Sequence, residues 1–163
     1  MHSRHTAGEI FQSILMSHIA SIDIIITDLK ALQAAARELG AVWIEGKKTY
    51  TWYGESIGDY PLPAGMTVDQ LGKCDHVISL PGVRYEIGVV KLPTGNYTLA
   101  FDFYGRHGRH DGEKLLAHFG TGLARIKQLY GVHKATMAAK LRGYSTSRKV
   151  AANGDIKLQI TGI

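Results

Sequence analysis

Between Asp111 and Arg142 the positions Leu116, Phe119, Leu123, Ile126, Tyr130, His133, Met137 and Leu141 recur at steps of three and four residues. That spacing follows the turn of an α-helix and lines all eight along one stripe. A strand, with its period of two, would scatter them over both faces. The chain must therefore hold a long amphipathic helix and an apolar layer for it to cover. Gly120 and Gly122 are predicted to break the run into a short helix and a long one, and Gly143 to end it.

The layer is legible upstream as strands. "SHIASIDIIIT" alternates Ile22, Ile24 and Ile26, and "NYTLAFDFYG" puts Tyr97, Leu99, Phe101 and Phe103 on one face. "CDHVISL" and "RYEIGVVKL" precede the latter, with "PTGN" as a hairpin turn. "AVWIEG" and "KTYTWYGE" read as two more strands around a turn at Gly46 and Lys47, before a proline-bearing loop and a short helical turn at "TVDQLG". Thr27 or Asp28 can cap a helix over "DLKALQAAARELG", whose stripe is Leu29, Leu32, Ala36 and Leu39 and whose stop is Gly40. "STSRKVA" and "DIKLQITGI" form a terminal hairpin about a type I′ turn at Asn153-Gly154. The expected fold is α+β: a mainly antiparallel sheet with two principal helices packed on one face and a C-terminal β-hairpin. Residues 1–15 are expected to be an N-terminal extension, and 16–163 a single α+β domain.

Composition narrows the function classes. With 45% hydrophobic and 20% charged residues in 163, the chain can bury a core. No apolar run reaches the ~20 residues a membrane-spanning helix needs. The single cysteine, Cys74, leaves no internal disulfide and points to the cytoplasm. Net charge is +5, but residues 104–150 carry ten cations against two carboxylates, which leaves the rest of the chain at −3. Such asymmetry suggests an anionic partner, nucleic acid or nucleotide first. A helix whose wet face is simply lysine-rich would give the same count.

The side chains that could carry chemistry concentrate in "FYGRHGRHDGEKLL". His107 and His110 supply two nitrogens where zinc wants three or four ligands, so no metal is expected there. Arg106, His107, Arg109, His110 and Lys114, set among glycines at a helix start, suit an anion clamp, because unpaired backbone N–H groups at that end favour negative charge. Asp111 and Glu113 could satisfy the same helix end instead, leaving a plain polar turn. In "CDH", Cys74 and His76 would share a strand face without an activating partner, so Cys74 reads as a small buried residue. Tyr130 and His133 lie on the helix seam, where a core histidine is the ordinary reading and proton transfer the alternative. Trp43, Tyr50, Trp52 and Tyr53 could stack bases, or pair across strands as core. Phosphate-loop, serine-hydrolase and zinc-protease motifs are all missing, and "GTG" at 120–122 lacks the third glycine of a dinucleotide fingerprint. No catalytic residue, metal or cofactor is assigned. The expectation is a non-enzymatic module that binds a nucleotide or a nucleic-acid backbone through the basic loop. The alternative is a self-assembling or adaptor protein, homo-oligomeric through a sheet edge or the N-terminal extension, with an enzyme using His133 or His110 third.

Several segments also resemble a known family. "MSHIASI", "CDHVISLPGVRYEIGVV", "LAFDFYG", "IKQLYGVHKATMAAKLRGY" and "NGDIKLQITG" are similar to the domain of unknown function typified by the hypothetical chloroplast reading frame thirty-five proteins of plastids and cyanobacteria, with bacterial and phage relatives. The resemblance runs over nearly all of 16–163 and implies a compact α+β domain with Met16 as its start. The Arg106–His110 loop and the proline-bearing loop at 56–66 depart from it. It implies no catalytic residue.

Overall fold

The computed structural model describes residues 19–21, 24–54, 62–63, 66–103 and 111–162. The first strand, β1 (Ile19–Ser21), pairs antiparallel with the last strand of the main sheet. Of the alternating isoleucines, Ile26 forms an isolated antiparallel bridge to the same strand, exchanging backbone hydrogen bonds with Tyr97 at 2.7 and 2.9 Å. Asp28 then caps α1 (Leu29–Glu38), its carboxylate accepting the Ala31 N–H at 3.1 Å. Gly40 takes the left-handed conformation (φ +76°) that turns the chain out of the helix.

β2 (Val42–Ile44), β3 (His76–Ser79), β4 (Glu86–Lys91) and β5 (Tyr97–Asp102) complete a five-stranded antiparallel sheet in the order β1-β5-β4-β3-β2. Because β1 and β2 are its opposite edges, α1 must cross the whole sheet between them. The glycine break falls where the sequence places it. α2 (Asp111–Phe119) ends at Gly120, a short 3-10 turn covers Thr121–Leu123, and α3 (Ala124–Leu141) follows. Leu123 is the one non-glycine among the described residues with positive φ (56°), and its side chain is fully buried. A left-handed leucine costs about 1–2 kcal/mol, less than the burial of that side chain returns.

The sheet has two covered faces. Trp43, Ile78, Ile87, Val89, Leu99 and Phe101 meet Ala31, Leu32, Ala35 and Ala36 of α1, Leu115 and Phe119 of α2, and Ile126, Leu129 and Tyr130 of α3. This is the α+β arrangement that the periodicity implied, with the helices on one face. On the other face Val77 and Ala100 pack with Tyr50, Leu71 and Cys74, together with Ile44, Trp52 and Met66. That second core is built by the connection between β2 and β3.

Three readings are corrected here. "KTYTWYGE" is not a strand; within 48–54 only Thr49 bridges, to Lys73. Nor do Trp43, Tyr50 and Trp52 form one cluster, since Trp43 on β2 joins the helix-side core while Tyr50 and Trp52 join the other. Cys74 and His76 do not share a face either. Cys74 points into the second core, while His76 stacks on Trp43 with ring centroids 5.3 Å apart. Leu141, placed on the stripe, is 90% exposed at the last position of α3. The proposed extension at 1–15 and most of the proline-bearing loop lie outside the described residues. Among those described, no helix is long and apolar enough to cross a membrane.

Candidate anion-binding surface

Of the five residues of the expected clamp, Arg106, His107, Arg109 and His110 lie outside the described residues. Lys114 is on the first turns of α2, exposed, with no hydrogen-bond or ion-pair partner among the described residues. Asp111, at the start of the same helix, accepts the Arg84 N–H at 3.3 Å and ties α2 to the β3–β4 connection.

The larger store of unneutralised charge is C-terminal. From Ala124 to Gly162 there are eight lysines and arginines and a single carboxylate, Asp155. Arg125 turns back on its own chain, donating to the Ala117 and His118 carbonyls at the end of α2. Lys134 donates to Thr27 Oγ1 at 2.6 Å. Among the described residues Arg148 alone of the eight meets a carboxylate, Glu38 Oε1, at 2.7 Å. Lys127, Lys140, Arg142, Lys149 and Lys157 have no side-chain partner among the described residues.

The last two of these sit on the terminal hairpin, β6 (Ser145–Val150) and β7 (Ile156–Thr161). One face of this ribbon is docked. Ile156 packs into the helix-side core, and Arg148 reaches Glu38 at the C-terminal end of α1. His133 of α3 completes that junction, its Nε2 3.2 Å from the same carboxylate oxygen. The seam position expected of His133 is thus a three-element polar contact at the rim of the core. Tyr130, one turn earlier, is buried, and its hydroxyl accepts the Thr27 and Asp28 N–H groups at the start of α1. Both residues join helices.

The turn corrects the sequence reading. Ala151 N–H donates to Asp155 O at 2.8 Å and Gly154 N–H to Ala151 O at 2.9 Å, enclosing three residues rather than two. Gly154 has φ +89°, while Asn153 does not take the positive φ that a type I′ turn requires. The extra residue shifts the register by one. A two-residue turn at Asn153-Gly154 would set Lys149 opposite Leu158; the observed ladder sets Lys149 opposite Lys157.

The second core holds the buried ionisable groups, and their geometry is structural. Glu86 accepts Lys47 Nζ at 2.9 Å on both oxygens, the Thr51 N–H at 2.9 Å and the Thr51 hydroxyl at 2.8 Å. Burial alone would raise its pKa; the Lys47 and Thr51 hydrogen bonds and the Lys47 charge outweigh that and hold it below the usual carboxylate value. Asp102, wholly buried, accepts the Tyr53 N–H at 3.1 Å. The two carboxylates pin the 47–53 segment across the sheet. Desolvation, with the Asp75 and Glu86 charges behind it, pushes the Cys74 thiol up to about 12, the opposite of an activated nucleophile. No group of three or more histidine, cysteine or carboxylate side chains among the described residues could hold a metal ion.

No protein-family model, curated protein or solved structure matches this chain.

Proposed function

We propose that this chain is a non-enzymatic module that binds an anionic ligand, with the nucleic-acid backbone preferred over a free nucleotide. The observation carrying this reading is the eight-to-one excess of cations from Ala124 onward, of which only Arg148 meets a carboxylate among the described residues. Self-repulsion among such side chains costs folding energy and favours a polyanion as partner. These cations are spread over α3, its C-terminal end and the ribbon, which suits an extended ligand better than a small one. Arg106, His107, Arg109 and His110, five residues and fewer ahead of Asp111, would add to the same charge.

The test is binding to a short nucleic acid across salt concentrations. Three to five phosphate contacts should give a slope of about −3 to −5 in log K against log salt for a duplex. A flat salt response, or no binding at low salt, sinks the proposal. A second reading, self-assembly, draws on Leu141 (90% exposed), Tyr144 (41%) and Ile160 (48%) near the open end of the ribbon. A ligand-free rise in sedimentation coefficient with concentration would favour it.

A further inference from the structure

The ribbon's undocked face has a composition that the docked face does not. Its side chains are Ser145, Ser147 and Lys149 from β6, opposite Thr161, Gln159 and Lys157 from β7. All six are exposed, and none makes a side-chain hydrogen bond or ion pair among the described residues. The other face carries Thr146, Arg148 and Val150 opposite Ile160, Leu158 and Ile156, four of its six side chains apolar. A solvated sheet face ordinarily mixes charges of both signs across the strands. This one pairs lysine directly against lysine, an arrangement that costs stability unless an anion lies over it.

We propose that this face enters the major groove of B-form DNA. The inference rests on the nucleic-acid reading above and narrows it to one surface and one kind of duplex. Two strands spaced about 4.8 Å apart, with their side chains, fit a groove about 12 Å wide, which admits a two-stranded ribbon. Six residues per strand give about 20 Å of length, roughly half a turn of groove. The six side chains are all of the types that address nucleic acid: Lys149 and Lys157 for phosphates or guanine edges, Gln159 for adenine, the serines and Thr161 for either. The other face fixes the ribbon's pose, through Ile156 in the core and Arg148 on Glu38. A-form RNA, whose major groove is too deep and narrow for side chains to read, is excluded by the same geometry.

The full chain is titrated by fluorescence anisotropy against a 20-base-pair DNA duplex, the RNA duplex of the same sequence and the DNA single strand. Tighter binding to the DNA duplex than to either other probe is expected, together with protection of guanine N7 from dimethyl sulfate. The pair Lys149→Gln and Lys157→Gln should weaken duplex binding on the order of tenfold to a hundredfold. Its melting temperature should hold or rise, since the like-charge opposition is gone. Ser147→Ala with Gln159→Ala should reduce sequence preference while leaving the salt slope nearly intact, and Lys30→Gln on α1 serves as the unaffected control. Wild-type affinity in the lysine pair, with salt-dependent binding kept, overturns the ribbon and spares the general reading; the two lysines then only guard the sheet edges against aggregation. Equal or tighter binding of the RNA duplex or the single strand overturns the groove assignment. Absence of binding to all three probes at low salt overturns both.

Discussion

The Tyr50 ring lies against the backbone of Gly88, so close that a Cβ at position 88 would stand 2.3 Å from Cδ1 and 2.7 Å from Cε1. Gly88 sits mid-strand in β4, between Val77 of β3 and Ala100 of β5 on the second face. There the row of small residues makes room for a tyrosine arriving from the β2–β3 connection. Glycine weakens a strand, and here a large aromatic fills the gap it leaves.

Gly88→Ala is therefore expected to destabilise the fold by about 1–3 kcal/mol, the range for overpacking a filled core. The ring carbons that block the methyl belong to a 3%-exposed side chain with little room to retreat. Chemical denaturation of the variant measures the cost. Adding Tyr50→Leu should recover part of it, because the clash disappears even though packing is lost. An unchanged midpoint in Gly88→Ala would mean that the contact is loose.

Glu86 sets an acid limit on stability. Its folded pKa is lowered, so its contribution is present above the unfolded value near 4.5 and is lost as pH falls through the lowered folded value. Denaturation midpoints should be level above pH 5.5 and fall below pH 4.5. Glu86→Gln should cost about 1–3 kcal/mol at neutral pH, leaving the partly exposed Lys47 and the Thr51 donors poorly matched. The same variant should flatten the acid limb. An acid limb equally steep in Glu86→Gln would assign it to other carboxylates.

Arg148 anchors the ribbon without being central to the fold. Arg148→Ala breaks the contact with Glu38 and leaves His133 on that carboxylate alone. All three groups are partly exposed, so global stability should change by no more than about 1 kcal/mol. Amide exchange, however, should speed up in β6 and β7 and stay unchanged in β4 and β5. Uniform faster exchange would instead make the junction part of the global fold. If exchange stays as in the wild type, Ile156 suffices to dock the ribbon.

Some elements needed only their neighbours in sequence. Asp28 caps α1, Gly40 ends it and Gly120 ends α2, each acting within a few residues of itself, and the Pro93–Asn96 turn joins β4 to β5. Capping, left-handed stops and apolar periodicity are local, and these were legible for that reason. The candidate surface was legible only as charge. Lys114 stands beside a basic loop visible in the sequence, whereas Lys149 and Lys157 are merely basic residues until the register brings them together.

What only the tertiary structure decided depends on partners far along the chain. The stretch at 48–53 has the composition of a strand. Its hydrogen bonds go to Glu86, 35 residues on from Thr51, and to Asp102, 49 on from Tyr53, so it crosses the sheet as a strap. His133 reads as apolar-seam from its spacing, yet it meets a carboxylate 95 residues away. Leu141 continues the helical stripe and still faces solvent, since periodicity fixes a direction and not whether another element is there to receive it. The terminal turn shows the same limit at its shortest range. Asn153-Gly154 announces a hairpin in sequence, but the loop holds three residues rather than two, in the register that seats Ile156 on the helix-side core and Arg148 on Glu38. That one-residue choice sets which side chains face each other along the whole ribbon.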